Sequence, residues 1–245
     1  MKAMILAAGL GTRLKPLTDD RPKALVTVAG RTLLQIALER LRIFGVNEAI
    51  VNAHHFADMI VDYLEANRYF GMRIEISLEP VLLDTGGGLK NAAWFFQDSS
   101  QSGDKSDKPF ILHNVDVIST IDLGSMMRFH MQHSALATLA VQDRETSRYL
   151  LFDDKEQLSG RSATRTSAEA QPLAFSGIHI ISPRIFAKMS EDGAFSIVDT
   201  YLHLAYQGEK IIAYRADDCY WRDLGRPESL IAAAQDLEDG KYSVA

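Results

Sequence analysis

Arg13, Lys15 and Lys23 follow the small-residue turn Ala7-Ala8-Gly9-Leu10-Gly11-Thr12 at short spacing. Glycine lets backbone approach backbone or ligand with no Cβ in the way. Bare N–H groups beside flexible cations are the parts needed to hold a polyphosphate. Further along, the apolar run Phe110-Ile111-Leu112 leads into His113-Asn114-Val115-Asp116. A carboxylate at the C-terminal end of a parallel strand faces the crevice where open α/β sheets take ligands. These residue types suit phosphate chemistry, in which the catalytic task is positioning and charge neutralisation.

Other chemistries are disfavoured by spacing. Leu14 stands where the dinucleotide fingerprint Gly-x-Gly-x-x-Gly needs its last glycine. No Gly-x-x-x-x-Gly-Lys-Ser/Thr occurs, so the turn is not a Walker A loop. His130 and His133 lie at i, i+3 but lack a third ligand, and they read as surface histidines. Asp153-Asp154 and Asp217-Asp218 read as turn residues. No Ser-His-Asp or Cys-His arrangement is suggested.

The bulk composition is that of a soluble globular chain, with 47% hydrophobic and 24% charged residues among 245. A net charge of −6 argues against an extended basic surface for nucleic acid, so the local cations serve something small and anionic. Cys219 is the lone cysteine, which excludes an internal disulfide and a cysteine-rich zinc site and suits a reducing cytoplasm. The N-terminus runs straight into a strand with no signal-peptide pattern. No apolar run approaches the ~18 residues of a membrane span.

The elements that must carry these residues can be read from periodicity. Ala3 to Ala8 is one buried strand. Thr32 caps a helix running to about Phe44, and Gly45 ends it. Ala49–Ala53 is a strand, 56 to 68 a helix and 73 to 79 a strand. This alternation predicts parallel βαβ units. Gly86-Gly87-Gly88 reads as a turn before a helix from Leu89 to Phe96, and 98 to 108 as an exposed loop. A helix over 123 to 134 and strands over 137 to 141 and 149 to 152 follow. The polar stretch 159 to 171 reads as a loop. Leu173 to Ile181 is a strand whose Gly177 marks a close approach. Phe195 to Asp199 precedes a helix to about Gln207. A strand over 210 to 214 and a helix from Pro227 to about Asp239 complete the chain.

The run Leu6-Ala7-Ala8-Gly9-x-Gly11-Thr12-Arg13-Leu14, then Pro16-Leu17-Thr18, then Pro22-Lys23, closely resembles the opening of sugar-1-phosphate nucleotidyltransferases. These enzymes join a nucleoside triphosphate to a sugar 1-phosphate and release pyrophosphate. The resemblance spans residues 1 to about 239. It implies a single three-layer Rossmann-like α/β domain over 1–245, with a mainly parallel mixed sheet, a nucleotide-binding half over 1–120 and a sugar-binding half over 121–245. By resemblance, Leu6, Ala7, Ala8, Gly9, Gly11, Thr12 and Arg13 hold the triphosphate. Lys23 sits between the α-phosphate and the sugar phosphate, and Arg13 and Lys23 are the catalytic cations. Glu79 with Thr85, Gly86 and Gly87 matches the segment that reads the nucleobase. The Thr-Gly-Gly-Gly form is most similar to the N-acetylmuramate 1-phosphate uridylyltransferases of cell-wall recycling.

Asp116, and Asp223 in Trp221-Arg222-Asp223-Leu224-Gly225, match the family's magnesium ligands. The family has glycine where this chain has Val115. Lys23, Asn114, Ser176, Gly177 and Asp199 match the sugar-phosphate side. A Glu-Lys-Pro motif whose lysine holds the sugar phosphate in many members is missing, and Arg144, Arg148, Arg161 and Arg165 are its possible substitutes. The implied reaction is Mg2+-dependent transfer from UTP to N-acetylmuramate 1-phosphate or a related hexose 1-phosphate. Mannose-1-phosphate guanylyltransferase is the alternative within the family. A GT-A-type glycosyltransferase or a non-catalytic nucleotide-sugar sensor are the alternatives outside it. The expected partners are the nucleoside triphosphate and the sugar 1-phosphate, with no nucleic acid and no membrane. The expected state is a cytoplasmic monomer or small homo-oligomer.

Overall fold

The structure is a computed structural model that describes residues 1–97, 108–165 and 170–242. Strand β1 (Lys2–Leu6) ends where the glycine turn begins. The short strands β2 (Thr27–Val28) and β3 (Arg31–Thr32) form a hairpin that feeds helix α1 (Leu33–Ile43). Thr32 caps α1, its Oγ1 accepting from the Gln35 amide at 3.0 Å. After it come β4 (Glu48–Ala53), α2 (Ala57–Ala66), β5 (Arg73–Leu78), α3 (Asp84–Asn91) and α4 (Ala93–Gln97). Next are β6 (Phe110–Asn114), β7 (Val117–Ser119), α5 (Leu123–His133), β8 (Ala137–Gln142), β9 (Tyr149–Phe152) and β10 (Leu158–Ser162). The last are β11 (Gln171–Ile181), α6 (Ile197–Tyr206), β12 (Ile211–Arg215), β13 (Trp221–Asp223) and α7 (Pro227–Glu238). The fold is α/β with a mainly parallel mixed sheet, the class expected from the sequence.

The chain forms two compact units that interleave in sequence. The first comprises Met1–Asp84, His113–Ile121 and Cys219–Ala245; the second comprises Thr85–Leu112 and Asp122–Asp218. In the first, β1 pairs in parallel with β4, and β4 with β5. Ala3, Met4 and Ile5 are all fully buried, because a parallel strand covered on both faces reads as a continuous apolar run rather than an alternation. Strands β7 and β13 pair antiparallel and set Asp223 opposite Val117. In the second unit, β8 runs parallel to β12 and antiparallel to β11, while β9 joins β11 and β10 antiparallel. Between Phe175, opposite Val141, and His179, opposite Leu139, β11 carries a bulge holding Ser176 and Gly177. Gly177 has φ 73°, so the strand glycine serves a left-handed bulge position.

Several local expectations need correction. Gly86, Gly87 and Gly88 lie inside α3 and are buried, not in a turn ahead of it. The start of the polar stretch 159 to 171, as far as Ser162, belongs to strand β10, which pairs with β9 although its sequence lacks an apolar alternation. All but Lys108 of the expected loop over 98 to 108, and the residues 166 to 169, lie outside the described residues. His130 is 1% exposed rather than on the surface. Its Nδ1 lies 2.9 Å from Thr138 Oγ1 and its Nε2 3.1 Å from Ser182 Oγ. His133 is exposed and bonds the Phe129 carbonyl, so the two histidines do not share a metal. Asp153 accepts the Lys155 and Gln157 amides, as a turn aspartate does. Among the described residues no helix is long and apolar enough to cross a membrane.

Candidate active site

The glycine turn is fixed as it leaves β1. The Leu6 carbonyl accepts from the Val115 amide at 3.1 Å, and the Ala7 amide donates to Asn52 Oδ1 at 2.6 Å. Gly9 is exposed, and Gly11 has φ 65°. A Cβ on Gly11 would lie 2.9 Å from Thr18 Cγ2 and 3.0 Å from Lys23 Cβ. Glycine is therefore needed here both for its backbone conformation and for the close approach of the Lys23 stem. Thr12, Arg13 and Leu14 then form a 3-10 turn. Pro22, extended at φ −70° and ψ 150°, delivers Lys23 at the start of another.

Lys23 Nζ pairs with Asp116 Oδ2, the two side chains only 12% and 14% exposed. Asp116 lies between β6 and β7, and its carbonyl accepts from the Leu224 amide at 2.8 Å. That bond brings the end of β13 alongside. Asp223 Oδ1 accepts from the Gly225 amide at 2.9 Å. A Cβ on Gly225 would stand 2.7 Å from Arg13 Nη2 and 2.8 Å from Asp223 Oδ1. Two cations and two carboxylates from three separate stretches thus gather beside the glycine turn. Lys23 and Asp116 are mostly buried, so their fields are screened less than at the surface, while Arg13 is exposed.

Glu79 is 2% exposed. Its Oε1 accepts from Asn52 Nδ2 at 2.7 Å and its Oε2 from the Leu83 amide at 3.0 Å. Its carbonyl meets His54 Nδ1 at 2.7 Å. Asn114, at the end of β6, is half-buried. In the second unit, Thr85 Oγ1 accepts from the Ile197 amide at 3.0 Å. The Gly86 and Gly87 amides donate to the Phe195 carbonyl at 2.9 and 3.3 Å. The start of α3 and the start of α6 therefore cap one another, and the Phe195 ring fills the place of a Gly86 side chain.

Ser176 and Gly177 are buried in the β11 bulge, and Asp199 is exposed in the first turn of α6. Arg161 Nη1 reaches Asp199 Oδ1 at 2.6 Å. Arg144 Nη2 donates to the Phe175 carbonyl, next to Ser176, at 2.7 Å. Arg165 pairs instead with Asp143 and Glu145, and Arg148 is exposed. Sequence reasoning missed Asn52 and Gly225. A polar amide inside the buried strand Ala49-Ile50-Val51-Asn52-Ala53 was the available signal for the first.

The nucleotidyl transferase family model matches residues 2–240. An N-acetylmuramate α-1-phosphate uridylyltransferase from Caulobacter vibrioides is 36% identical over 244 residues, covering 97% of this chain and 97% of its own length. The chain belongs to the sugar-1-phosphate nucleotidyltransferase family. A mannose-1-phosphate guanylyltransferase catalytic subunit β from Xenopus tropicalis is 28% identical over 94% of this transferase, which spans 63% of that relative's length. The solved structure of a UDP-glucose pyrophosphorylase complexed with UDP-glucose has the same fold. Its TM-score is 0.79 at 18% identity, covering 98% of each chain.

Enzymes of this family act on a nucleoside triphosphate and a sugar phosphate and generally use a divalent metal. Among the described residues no three His, Cys, Asp or Glu side chains form a ready metal cage. The Asp116 and Asp223 pair fits a hard cation of the kind held by one or two carboxylates together with substrate phosphates.

Proposed function

We propose that this transferase moves UMP from UTP to N-acetylmuramate 1-phosphate or a related hexose 1-phosphate, in the cytoplasm, to supply cell-wall sugar metabolism. The sugar phosphate oxygen attacks the α-phosphorus, the α–β bridging bond breaks, and pyrophosphate leaves. The nucleophile is already ionised at neutral pH, so no general base is required. The observation that carries the reaction class is the joining of Lys23 to Asp116 beside the glycine turn, with Arg13 and Asp223 both drawn up to Gly225. The choice of UTP and of the sugar is supported by the end-to-end likeness to the Caulobacter enzyme.

In this reading the Leu6–Thr12 segment and Arg13 hold the triphosphate. Lys23 braces the α-phosphate against the sugar phosphate. Asp116 and Asp223 would hold Mg2+, which supplies positive charge to phosphate oxygens. The segment from Glu79 to Gly87 serves the base. Asn114, Ser176, Gly177 and Asp199 serve the sugar phosphate. Arg161, through its bond to Asp199, stands in for the missing lysine. Residues 1–120 and 121–245 are then the nucleotide-binding and sugar-binding halves, and the working form is a monomer or small homo-oligomer.

The guanylyltransferase likeness favours a second reading, GTP with mannose 1-phosphate. A matrix of UTP, GTP, CTP, ATP and dTTP against sugar 1-phosphates, read by pyrophosphate release, decides between them. UTP with N-acetylmuramate 1-phosphate should give the highest kcat/KM. A best pair of GTP with mannose 1-phosphate overturns the first reading. Release of free nucleoside diphosphate in place of pyrophosphate overturns both.

A further inference from the structure

Asn52 and Glu79 are each 2% exposed. A buried polar side chain left without partners is costly, so the bonds this pair makes are consequential. They form one continuous path: the Ala7 amide donates to Asn52 Oδ1, Asn52 Nδ2 donates to Glu79 Oε1, and Glu79 Oε2 accepts from the Leu83 amide. Both ends of the path are backbone donors. With a donor at each end, one member must accept twice, as a carboxylate does, and the other must accept once and donate once, as an amide does. Here Glu79 is the first and Asn52 the second.

We infer that Asn52 and Glu79 are a positioning pair that fixes the glycine turn against residues 80–83. They act through the backbone rather than by touching the nucleotide. The inference rests on the proposed reading of these two segments as the triphosphate and nucleobase sites. The bond from Val115 to the Leu6 carbonyl pins the preceding peptide, so the turn departs from two fixed points. Donors held in place before the ligand arrives need no reorganisation when it binds.

The path can be reversed without losing a bond, and this gives its test. Asn52→Asp alone faces two carboxylates at each other. Glu79→Gln alone turns an N–H against another donor. In the double variant Asn52→Asp/Glu79→Gln, the new carboxylate at position 52 accepts from Ala7 and from the new amide at position 79. The oxygen of that amide accepts from Leu83. The measurements are kcat, KM for each substrate, Kd for the triphosphate turned over in the matrix above, and Tm, on the full chain with magnesium.

Each single variant should raise triphosphate KM and Kd by about tenfold or more. The sugar-phosphate KM should change by less than about threefold, and the double variant should return to within about threefold of wild type. If Asn52→Asp does not fold, Glu79→Gln and the double variant carry the same comparison. Single variants with wild-type triphosphate Kd overturn the inference. So does a double variant no better than the worse single. A wild-type chain that binds triphosphate but releases no pyrophosphate overturns the reaction alone, and the Kd series still decides the pair.

Discussion

Gly225 has no side chain, and the place where one would stand is taken by the Arg13 guanidinium and the Asp223 carboxylate. Gly225→Ala should therefore push Arg13 or Asp223 aside and lower kcat/KM by roughly tenfold or more, because misplaced charges stabilise a transition state poorly. Near wild-type kinetics in that variant would show that the two groups need not meet. Lys23 makes a different prediction. It is drawn against Asp116 and follows an extended proline, so it is aimed rather than solvated. Two phosphates repel more strongly as they close in a site that excludes water, and a cation between them acts most at that moment. Lys23→Ala should lower kcat by roughly 10²-fold or more with a smaller change in triphosphate KM. Lys23→Arg should recover little, since a planar fork does not replace a compact ammonium. Arg13→Ala should weaken triphosphate binding as well. Steady-state kinetics on the three variants separates these outcomes. The cations and Asp116 were legible because charge near glycine and at a strand end has a stated physical use. The approach of Arg13 to Gly225 was not, because sequence spacing says nothing of what two ends of a chain do when they meet.

Helix α3 shows how an element can contradict its own residues. Glycine disfavours a helix by about 1 kcal/mol relative to alanine, and three in a row read as a turn. The segment is helical because the Phe195 carbonyl accepts from the amides of its first turn and the Phe195 ring packs where a Gly86 side chain would lie. Gly86→Ala should accordingly destabilise the protein, although alanine is the better helix former. Overpacking costs about 1–3 kcal/mol. For a chain of this length each kcal/mol lost lowers Tm by about 2–4 °C. An unchanged or raised Tm would show that the ring yields freely. Helix α1 was legible for the opposite reason: Thr32, the apolar stripe and Gly45 are all local signals. Strand β10 was hidden because Ser159, Gly160, Arg161 and Ser162 carry no apolar alternation, and its partner β9 is what makes it a strand.

For the whole molecule, His113 ties stability to pH. It is fully buried, and burial first, then the Arg40 charge, holds it down from the usual 6.5 to about 4. Asp116 is the opposing charge that faces it. Between those two values the unfolded chain binds a proton that the folded chain refuses. Stability is therefore greatest above about pH 6.5 and falls as pH drops toward 4, by up to about 1.4 kcal/mol per pH unit. Urea unfolding of wild type and His113→Gln at pH 7, 6 and 5 should show their difference shrinking or changing sign as pH falls. A constant difference would mean that the imidazole protonates freely in the fold.

The first unit is assembled from Met1–Asp84, His113–Ile121 and Cys219–Ala245. A ribosome adds about 5–20 residues per second. Arg13 and Lys23 therefore wait roughly 5–20 s for Asp116, and Arg13 waits roughly 10–40 s for Asp223 and Gly225. In the proposed reading, throughout that interval the nascent chain carries the cations of a phosphate site without the carboxylates that complete it. In the proposed reading, competence to handle nucleotide waits until β13 has been made and closes on β7.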